Sequence, residues 1–205
     1  MWYNKITNSN GGIILMTNAK NAPNAAANRF SARDLAFMSL MSVIIAVCAW
    51  ITVPAAVPFT FQTFGIFLTL CLLGGKKGLL SITVYILLGL IGLPVFSGFK
   101  GGAGVLFGTT GGYIIGFLLI GFSFMIITKL FGEKIIPTIA ALVIGDILCF
   151  TFGTIWYIIV YNQNNEAIGL MTALGWCVFP FIIPDCIKLI CAVFISRKIK
   201  SLIKI

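Results

Sequence analysis

The chain has 205 residues, of which 60% are hydrophobic and 9% are charged, and its mean hydropathy is +1.08. A soluble globular domain carries about 25% charged residues, so this composition excludes an ordinary soluble protein and predicts an integral membrane protein. Crossing a hydrocarbon core of about 30 Å takes about 20 apolar residues of helix, which gives room for about six spans in one membrane domain and for no second globular domain.

The N-terminal residues 1–30 are predicted to form a disordered, asparagine-rich tail. Seven asparagines fall within residues 1–28, and the apolar run at 13–15 is too short for the core of a signal peptide. Met16 is a candidate for the true start of the protein. The remaining residues, 31–205, are predicted to form one membrane domain.

Six apolar segments follow the tail, at about 35–53, 61–75, 78–97, 110–131, 135–160 and 170–196. They are continuously apolar, unlike the alternating segments of about ten residues that build a membrane barrel. We therefore predict an all-α protein with six transmembrane helices. Ser31 and Asp34 fit the capping box that opens the first helix. The second and third segments are short enough to tilt or to enter from a loop.

The lysines and arginines predict the orientation of these segments. With both termini in the cytoplasm, twelve of the fourteen cations lie on the inner side, Lys100 lies outside, and Lys188 falls within the last span. This bias fits the positive-inside rule. The net charge of +9 then reflects topology and contact with anionic lipid rather than binding of nucleic acid.

The sequence lacks the residue patterns that usually form metal sites, cofactor sites or nucleophilic catalytic sites. The six cysteines all fall within predicted spans and form no Cys-x-x-Cys pair, and the chain contains no histidine. A zinc site or a Cys-His pair is therefore not expected, and we predict no cofactor. Residues 74–77, Gly-Gly-Lys-Lys, lack the spacing of a phosphate loop, so any ATP would be bound by another chain.

A glycine-rich stretch separates the third and fourth spans. Seven of the fifteen residues from 98 to 112 are glycine, which disfavours regular helix and permits close backbone approach. One interpretation is a floppy external loop. The apolar residues on either side, 93–96 and 105–107, favour a loop folded over a cavity, where irregular backbone is tolerated at membrane depth.

Two ionisable residues lie inside the last apolar segment. Asp185 and Lys188 stand three residues apart, which places both on one face of a helix with Cβ atoms about 5–6 Å apart. An ionisable side chain at the bilayer centre costs about 2.5–3.5 kcal/mol, so a retained pair indicates a polar ligand site. A structural ion pair in a kinked helix is the alternative.

Pro180 and Pro184 are expected to break this last helix just before the pair, because proline removes a backbone donor and clashes with the preceding turn. Pro184 would then lie in the first turn of a new half-helix, with Asp185 at its positive end. Transporters use such broken helices to build substrate sites.

Four short motifs follow one another along the chain. They are Val-Pro-Phe-Thr-Phe-Gln-Thr-Phe at 57–64, Gly-Leu-Ile-Gly-Leu-Pro-Val-Phe at 89–96, Gly-Gly at 101–102 with Thr-Gly-Gly-Tyr at 110–113, and Pro-Asp-Cys-Ile-Lys at 184–188. Together, in this order, they resemble the BioY family of biotin-binding membrane (S) components of energy-coupling factor (ECF) transporters. The resemblance covers residues 31–200. Thr109 replaces a proline common in the family, and the glycine often found before the aspartate is missing.

The resemblance implies the six-helix S-component fold in the bacterial cytoplasmic membrane, with a biotin site near the outer face. The loop between spans one and two and the glycine-rich loop would close this site. Asp185 and Lys188 resemble the family's ligand-binding pair, and Lys100 lies where members carry a polar ligand contact. Which of the two lysines meets the biotin carboxylate stays open. The other predicted substrate-binding residues are Gln62, Phe61, Phe96, Thr110, Tyr113 and Trp156.

The resemblance also implies partners. A transmembrane coupling subunit and two ABC ATPases would supply the energy, so the chain would not itself be an enzyme. Small residues let membrane helices approach closely, and the first span offers a candidate docking face of Ser39, Ser42, Ala46 and Ala49. Packing of these residues inside the protein is the alternative.

Two other functions remain as alternatives. Gly145-Asp146 and Asp185 resemble the carboxyl pair of GxGD intramembrane aspartyl proteases, although Val143 replaces the first glycine and Lys188 would hold Asp185 ionised. An ion pair between Asp146 and Lys188 is the structural explanation for this carboxyl. The second alternative is an S component for another small vitamin, since proteins of the same fold can bind different ligands.

Overall fold

The computed structural model describes residues 30–55, 57–164 and 167–203. The predicted N-terminal tail, its candidate start at Met16 and four of the predicted inner cations lie outside these residues; the cations are Lys5, Lys20, Arg29 and Lys204.

Helices make up almost all of the described membrane domain. They are α1 Ala32–Trp50, α2 Gln62–Leu90, α3 Ala103–Leu106, α4 Gly111–Phe131, α5 Ile135–Asn164, α6 Leu170–Cys177 and α7 Phe179–Ile203. Two antiparallel strands of two residues each, β1 Thr52–Val53 and β2 Phe59–Thr60, join α1 to α2. By length and composition, five of the described stretches could cross a membrane: α1, α2, α4, most of α5, and α6 with α7. The prediction of an all-α membrane protein is confirmed.

The stretch α2 is a hairpin of two antiparallel arms, 62–73 and 75–90. Gly74 has φ 77° and ψ 177°, a backbone conformation that glycine adopts without steric cost. Gln62 Nε2 donates to Tyr85 Oη at 2.7 Å, although a straight helix would hold residues 23 apart about 34 Å from one another. The predicted second and third spans correspond to these arms. They are about 18 and 24 Å long, so the count of six full spans stays a prediction.

The described cations near helix ends gather at one end of the bundle. Lys77, just past the hairpin turn, forms a 2.6 Å ion pair with Asp34 in the first turn of α1. Lys200 near the end of α7 forms a 3.1 Å ion pair with Glu133, between α4 and α5. This grouping agrees with the predicted distribution of charge, and the assignment of that end to the cytoplasm stays a prediction.

The last span breaks earlier than the prolines predict. The interruption lies at Val178 (φ −124°, ψ −59°), so α7 begins at Phe179 and Pro180 occupies its first turn. Proline is tolerated there because the first turn has no intrahelical partner for its missing N–H. Pro184 lies inside α7, and Asp185 is therefore in the second turn rather than at the start of a half-helix.

The small residues of α1 face the interior of the bundle. Ser42, Ala46 and Ala49 are 2%, 5% and 0% exposed, and Ser42 Oγ lies 2.8 Å from the carbonyl oxygen of Ser81 in the second arm of α2. Of the four candidate docking residues, Ser39 is exposed. The other three pack against α2, as the alternative interpretation stated.

The close contact between the α2 arms yields a stability prediction. A Cβ atom on Gly78 would lie 3.1 Å from Leu70 Cα and 2.9 Å from its Cδ2, so Gly78→Leu should force the arms apart. We expect a loss of about 1–3 kcal/mol, typical of overpacking, seen as a lower thermal unfolding midpoint in detergent. Gly175→Leu is the matched control, because nothing lies within 4 Å of that Cβ position; equal midpoints would contradict the hairpin packing.

Candidate ligand-binding site

Two connecting segments cover one end of the bundle. The β1–β2 ribbon links α1 to α2, and the segment 91–110 links α2 to α4 through a 3₁₀ turn at Ser97–Phe99 and the short α3. The second segment is compact. Phe96 N–H donates to the carbonyl of Lys100 at 2.9 Å, and a Cβ on Gly101 or Gly111 would overlap a backbone carbonyl. The glycines thus permit close backbone packing, and the floppy-loop interpretation does not describe this segment.

The two covering segments are joined to each other. Thr52 Oγ1 and Ser97 Oγ lie 3.0 Å apart. Trp50, at the end of α1, donates from Nε1 to the carbonyl of Pro94 at 2.8 Å, and its ring stacks on Phe99 with centroids 5.0 Å apart. Phe99 has φ 57°, a strained value for a bulky residue. These contacts hold both segments over the space beneath them.

Beneath the segments lies a cavity with an empty volume of about 830 Å³, counting its open mouth. Small-molecule pockets are mostly apolar and carry a few convergent polar groups. Most of the lining here is apolar or aromatic, and the ionisable side chains that reach it are Asp146, Asp185, Lys188 and Lys100.

The Asp185–Lys188 pair forms the polar centre of this cavity. The side chains are 3% and 6% exposed, and Lys188 Nζ lies 2.7 Å from Asp185 Oδ1. Lys188 also donates to the carbonyl of Thr60 at 2.6 Å and to Thr63 Oγ1 at 3.1 Å. Thr63 in turn donates to Asp185 Oδ1 at 3.0 Å. The pair is therefore fixed by the end of the ribbon and the start of α2.

In this network every N–H donor of the Lys188 ammonium forms a hydrogen bond, whereas one oxygen of the Asp185 carboxylate forms none with a described residue. A lysine ammonium has three donors, and Asp185, Thr63 and Thr60 accept one each. Both hydrogen bonds to Asp185 end on Oδ1. Among the described residues no fully enclosed side-chain oxygen lacks a partner, so Oδ2, which accepts no hydrogen bond from them, opens on the cavity. The ring of Phe59 lies 4.2 Å from Nζ and adds a cation–π contact.

Seven of the nine predicted substrate-binding residues line the cavity. Besides the ion pair, these are Gln62, Phe96, Lys100, Thr110 and Tyr113. Gln62 is held by its hydrogen bond to Tyr85, which itself donates to the carbonyl of Val95 at 3.1 Å. Tyr113 Oη lies 2.9 Å from Thr154 Oγ1 in α5. Lys100 is exposed at the rim.

The remaining two predicted substrate-binding residues, Phe61 and Trp156, do not line the cavity. Phe61 is 43% exposed, and its ring lies 5.9 Å from Lys188 Nζ. Trp156 lies behind the glycine-rich segment, where its Nε1 donates to the carbonyl of Gly108 at 3.0 Å. Both residues therefore border the site, and direct ligand contact by either stays a prediction.

Several lining residues did not emerge from the sequence as site residues. Thr60 and Thr63 belong to the 57–64 motif, and Phe181 lies between the two prolines. Phe150 and Cys149 follow Asp146 by four and three residues on α5, so one helix face carries all three into the cavity. That helical spacing from Asp146 could have identified them.

These features define a multi-pass helical membrane protein with a small-molecule cavity near one end. A model of the BioY family matches residues 19–205. A biotin transporter BioY of Thermotoga maritima is 38% identical over 83% of this chain and 97% of its own length. A probable biotin transporter BioY of Pyrococcus horikoshii is 35% identical over 83% of this chain and 98% of its own.

Solved structures give the same assignment. A crystal structure of the S-component for biotin from an ECF-type ABC transporter superposes with a TM-score of 0.74 and 30% identity, over 84% of this chain and 95% of that one. The chain belongs to the BioY family.

Membership in this family removes the protease alternative, because the family is a transporter component and not an enzyme. The geometry agrees, since the ion pair of Asp185 with Lys188 leaves no carboxyl pair sharing a proton. The predicted Asp146–Lys188 ion pair is not among those of the described residues.

The hydroxyl of Thr63 yields a prediction for this network. Thr63→Val keeps the shape of the side chain but leaves one N–H of Lys188 without its acceptor. An unsatisfied buried donor costs about 1–3 kcal/mol, so the thermal unfolding midpoint in detergent should fall. Thr83→Val is the matched control, because Thr83 only bonds the carbonyl of Leu79 in its own helix. A Thr63 variant as stable as this control would show that the hydroxyl does not hold the pair.

Proposed function

We propose that this chain binds biotin at the outer face of the cytoplasmic membrane and serves as the biotin-specific S component of an ECF-type ABC transporter. The observation that carries the proposal is the buried Asp185–Lys188 pair in an aromatic cavity of about 830 Å³. Family membership supplies the ligand class, since two relatives are named as biotin transporters.

The cavity offers chemistry suited to both ends of biotin. The ureido ring has two N–H donors and one carbonyl acceptor, and Asp185 Oδ2 opens on the cavity as an acceptor for one N–H. Phe96, Phe150 and Phe181 provide apolar walls for the thioether ring and the aliphatic chain. A carboxylate that accepts from an N–H forms a charge-assisted hydrogen bond, about twice as strong as a neutral one.

The valerate carboxylate is assigned to Lys100 rather than to Lys188. All three donors of Lys188 are occupied within the protein, so its ammonium serves to hold Asp185 in place and balance its charge. Lys100 lies at the exposed rim of the same cavity and forms no ion pair within the described ranges. The carboxylate would therefore point toward the mouth and the ureido ring toward the interior.

The partners are proposed from the transporter class. A transmembrane coupling subunit and two ABC ATPases would supply energy and would contact the chain from within the membrane and from the cytoplasm. Docking through α1 is retained in modified form, because three of its small residues are buried. Its outward face presents Ser39 beside Leu40, Val43 and Val47, whose exposed fractions are 51%, 55% and 44%.

The proposed function is tested by equilibrium biotin binding to the purified chain. Asp185→Asn replaces the carboxylate proposed to accept from the ureido ring, and Lys188→Ala removes the ammonium that holds that carboxylate in place, so both should weaken binding by about 10-fold or more, the scale of a hydrogen bond to a charged group. Lys200→Ala is the control, since its ion pair with Glu133 lies at the opposite end. Binding of another vitamin in preference to biotin, or undiminished binding by both variants, would overturn the proposal.

The assignment of Lys100 is tested with an amide of biotin. Lys100→Met should weaken biotin binding by about 2- to 5-fold, the range for a solvent-accessible ion pair of up to about 1 kcal/mol. It should leave the affinity for the uncharged amide unchanged. Lys76→Met at the other end of the bundle is the control. Equal losses for the acid and the amide would place the carboxylate elsewhere.

A further inference from the structure

Asp146 is an ionisable side chain that lines the cavity and takes no part in the network around Lys188. It lies on α5, whereas Asp185 lies on α7, and both line the same space. No described residue forms an ion pair or a side-chain hydrogen bond with its carboxyl group. The group therefore opens on the cavity with its acceptor oxygens available.

Packing of α5 on α4 fixes the direction of this side chain. A Cβ on Gly145 would lie 2.7 Å from Ile120 Cα, and one on Gly153 would overlap the ring of Tyr113. These two approaches, eight residues apart, set the rotation of α5 against α4. With that rotation, Asp146 shares the cavity face with Cys149 and Phe150. The carboxyl group is thus presented by a rigid helix.

A ureido ring needs more acceptors than Asp185 provides. Its two N–H groups point away from each other, so one carboxylate oxygen accepts from one of them. An N–H buried without an acceptor loses its hydrogen bond to water and weakens binding. Asp146 supplies the missing acceptor from a different helix, so the two N–H groups would be bound from two sides.

Resting on the proposed binding of biotin, we propose that Asp146 is a second ligand-binding carboxyl group, which accepts from the ureido N–H that Asp185 does not reach. Lys188 then positions Asp185 without contacting the ligand. The site recognises the ureido ring by two carboxyl groups on separate helices, and a ligand lacking either N–H is discriminated against.

The test combines variants with biotin analogues methylated at one or the other ureido nitrogen. Asp146→Ala should weaken binding of biotin by about 3- to 10-fold, the range expected for one lost hydrogen bond. Methylation at one nitrogen should weaken binding to the wild type by a similar factor, yet should cost little further in Asp146→Ala. Methylation at the other nitrogen should show the same non-additivity with Asp185→Ala.

Controls separate a direct contact from a structural effect. Asp146→Asn keeps one side-chain carbonyl oxygen as an acceptor. Methylation at the same nitrogen should therefore weaken binding to this variant, as it does for the wild type. Glu133→Gln, at the opposite end of the bundle, should bind like the wild type. The assignment of Asp146 is wrong if the losses from Asp146→Ala and from methylation add up for both analogues. It is also wrong if Asp146→Ala binds biotin as tightly as the wild type does. Either result leaves the proposed function standing. A wild-type chain that binds no biotin would overturn the proposed function and this assignment together.

Discussion

The ion pair between Asp185 and Lys188 is the constraint on which the rest of the structure depends. Two charges removed from water must be neutralised and hydrogen-bonded, or their desolvation exceeds their attraction. One helix face cannot do this alone, because Asp185 offers Lys188 a single short contact. The chain therefore brings the end of the β ribbon and the start of α2 to the pair, where Thr60 and Thr63 complete it.

The first arm of α2, residues 62–73, runs from this ion pair to the cationic end of the bundle. Arm 62–73 is about 18 Å long and starts beside Lys188, while its far end at Gly74 lies near Glu133. Along α7, the twelve residues from Lys188 to Lys200 also measure about 18 Å, and Lys200 pairs with the same Glu133. Both routes place the ion pair about 18 Å from the cationic end, inside a hydrocarbon layer of about 30 Å.

The sequence predicted the features that depend on nearby residues. Spacing on one helix predicted the pairing of Asp185 with Lys188, and the separate apolar segments 61–75 and 78–97 predicted a boundary close to Gly74, where the hairpin turns. Thr63 was missed because it is 122 residues from Asp185, so its role depends on tertiary packing. Ser42 was placed on a docking face because small residues occur both on helix faces that contact a partner and on faces packed inside the protein, and the sequence alone does not distinguish the two. The helix break moved to Val178 because a first turn accommodates proline.

The depth of the ion pair also determines how a ligand reaches it. With the cationic end taken as one surface of a hydrocarbon layer of about 30 Å, and the pair about 18 Å from that end, about 12 Å remain between the pair and the other surface. The β ribbon and the glycine-rich segment fill that distance, and irregular backbone is tolerated there because it lines the cavity. Their mutual contacts, Thr52 with Ser97 and Trp50 with Phe99 and with the carbonyl of Pro94, each depend on at least one side chain. Separating the two segments would therefore open the cavity without breaking a backbone hydrogen bond of the membrane helices, which makes this end of the bundle the natural entrance.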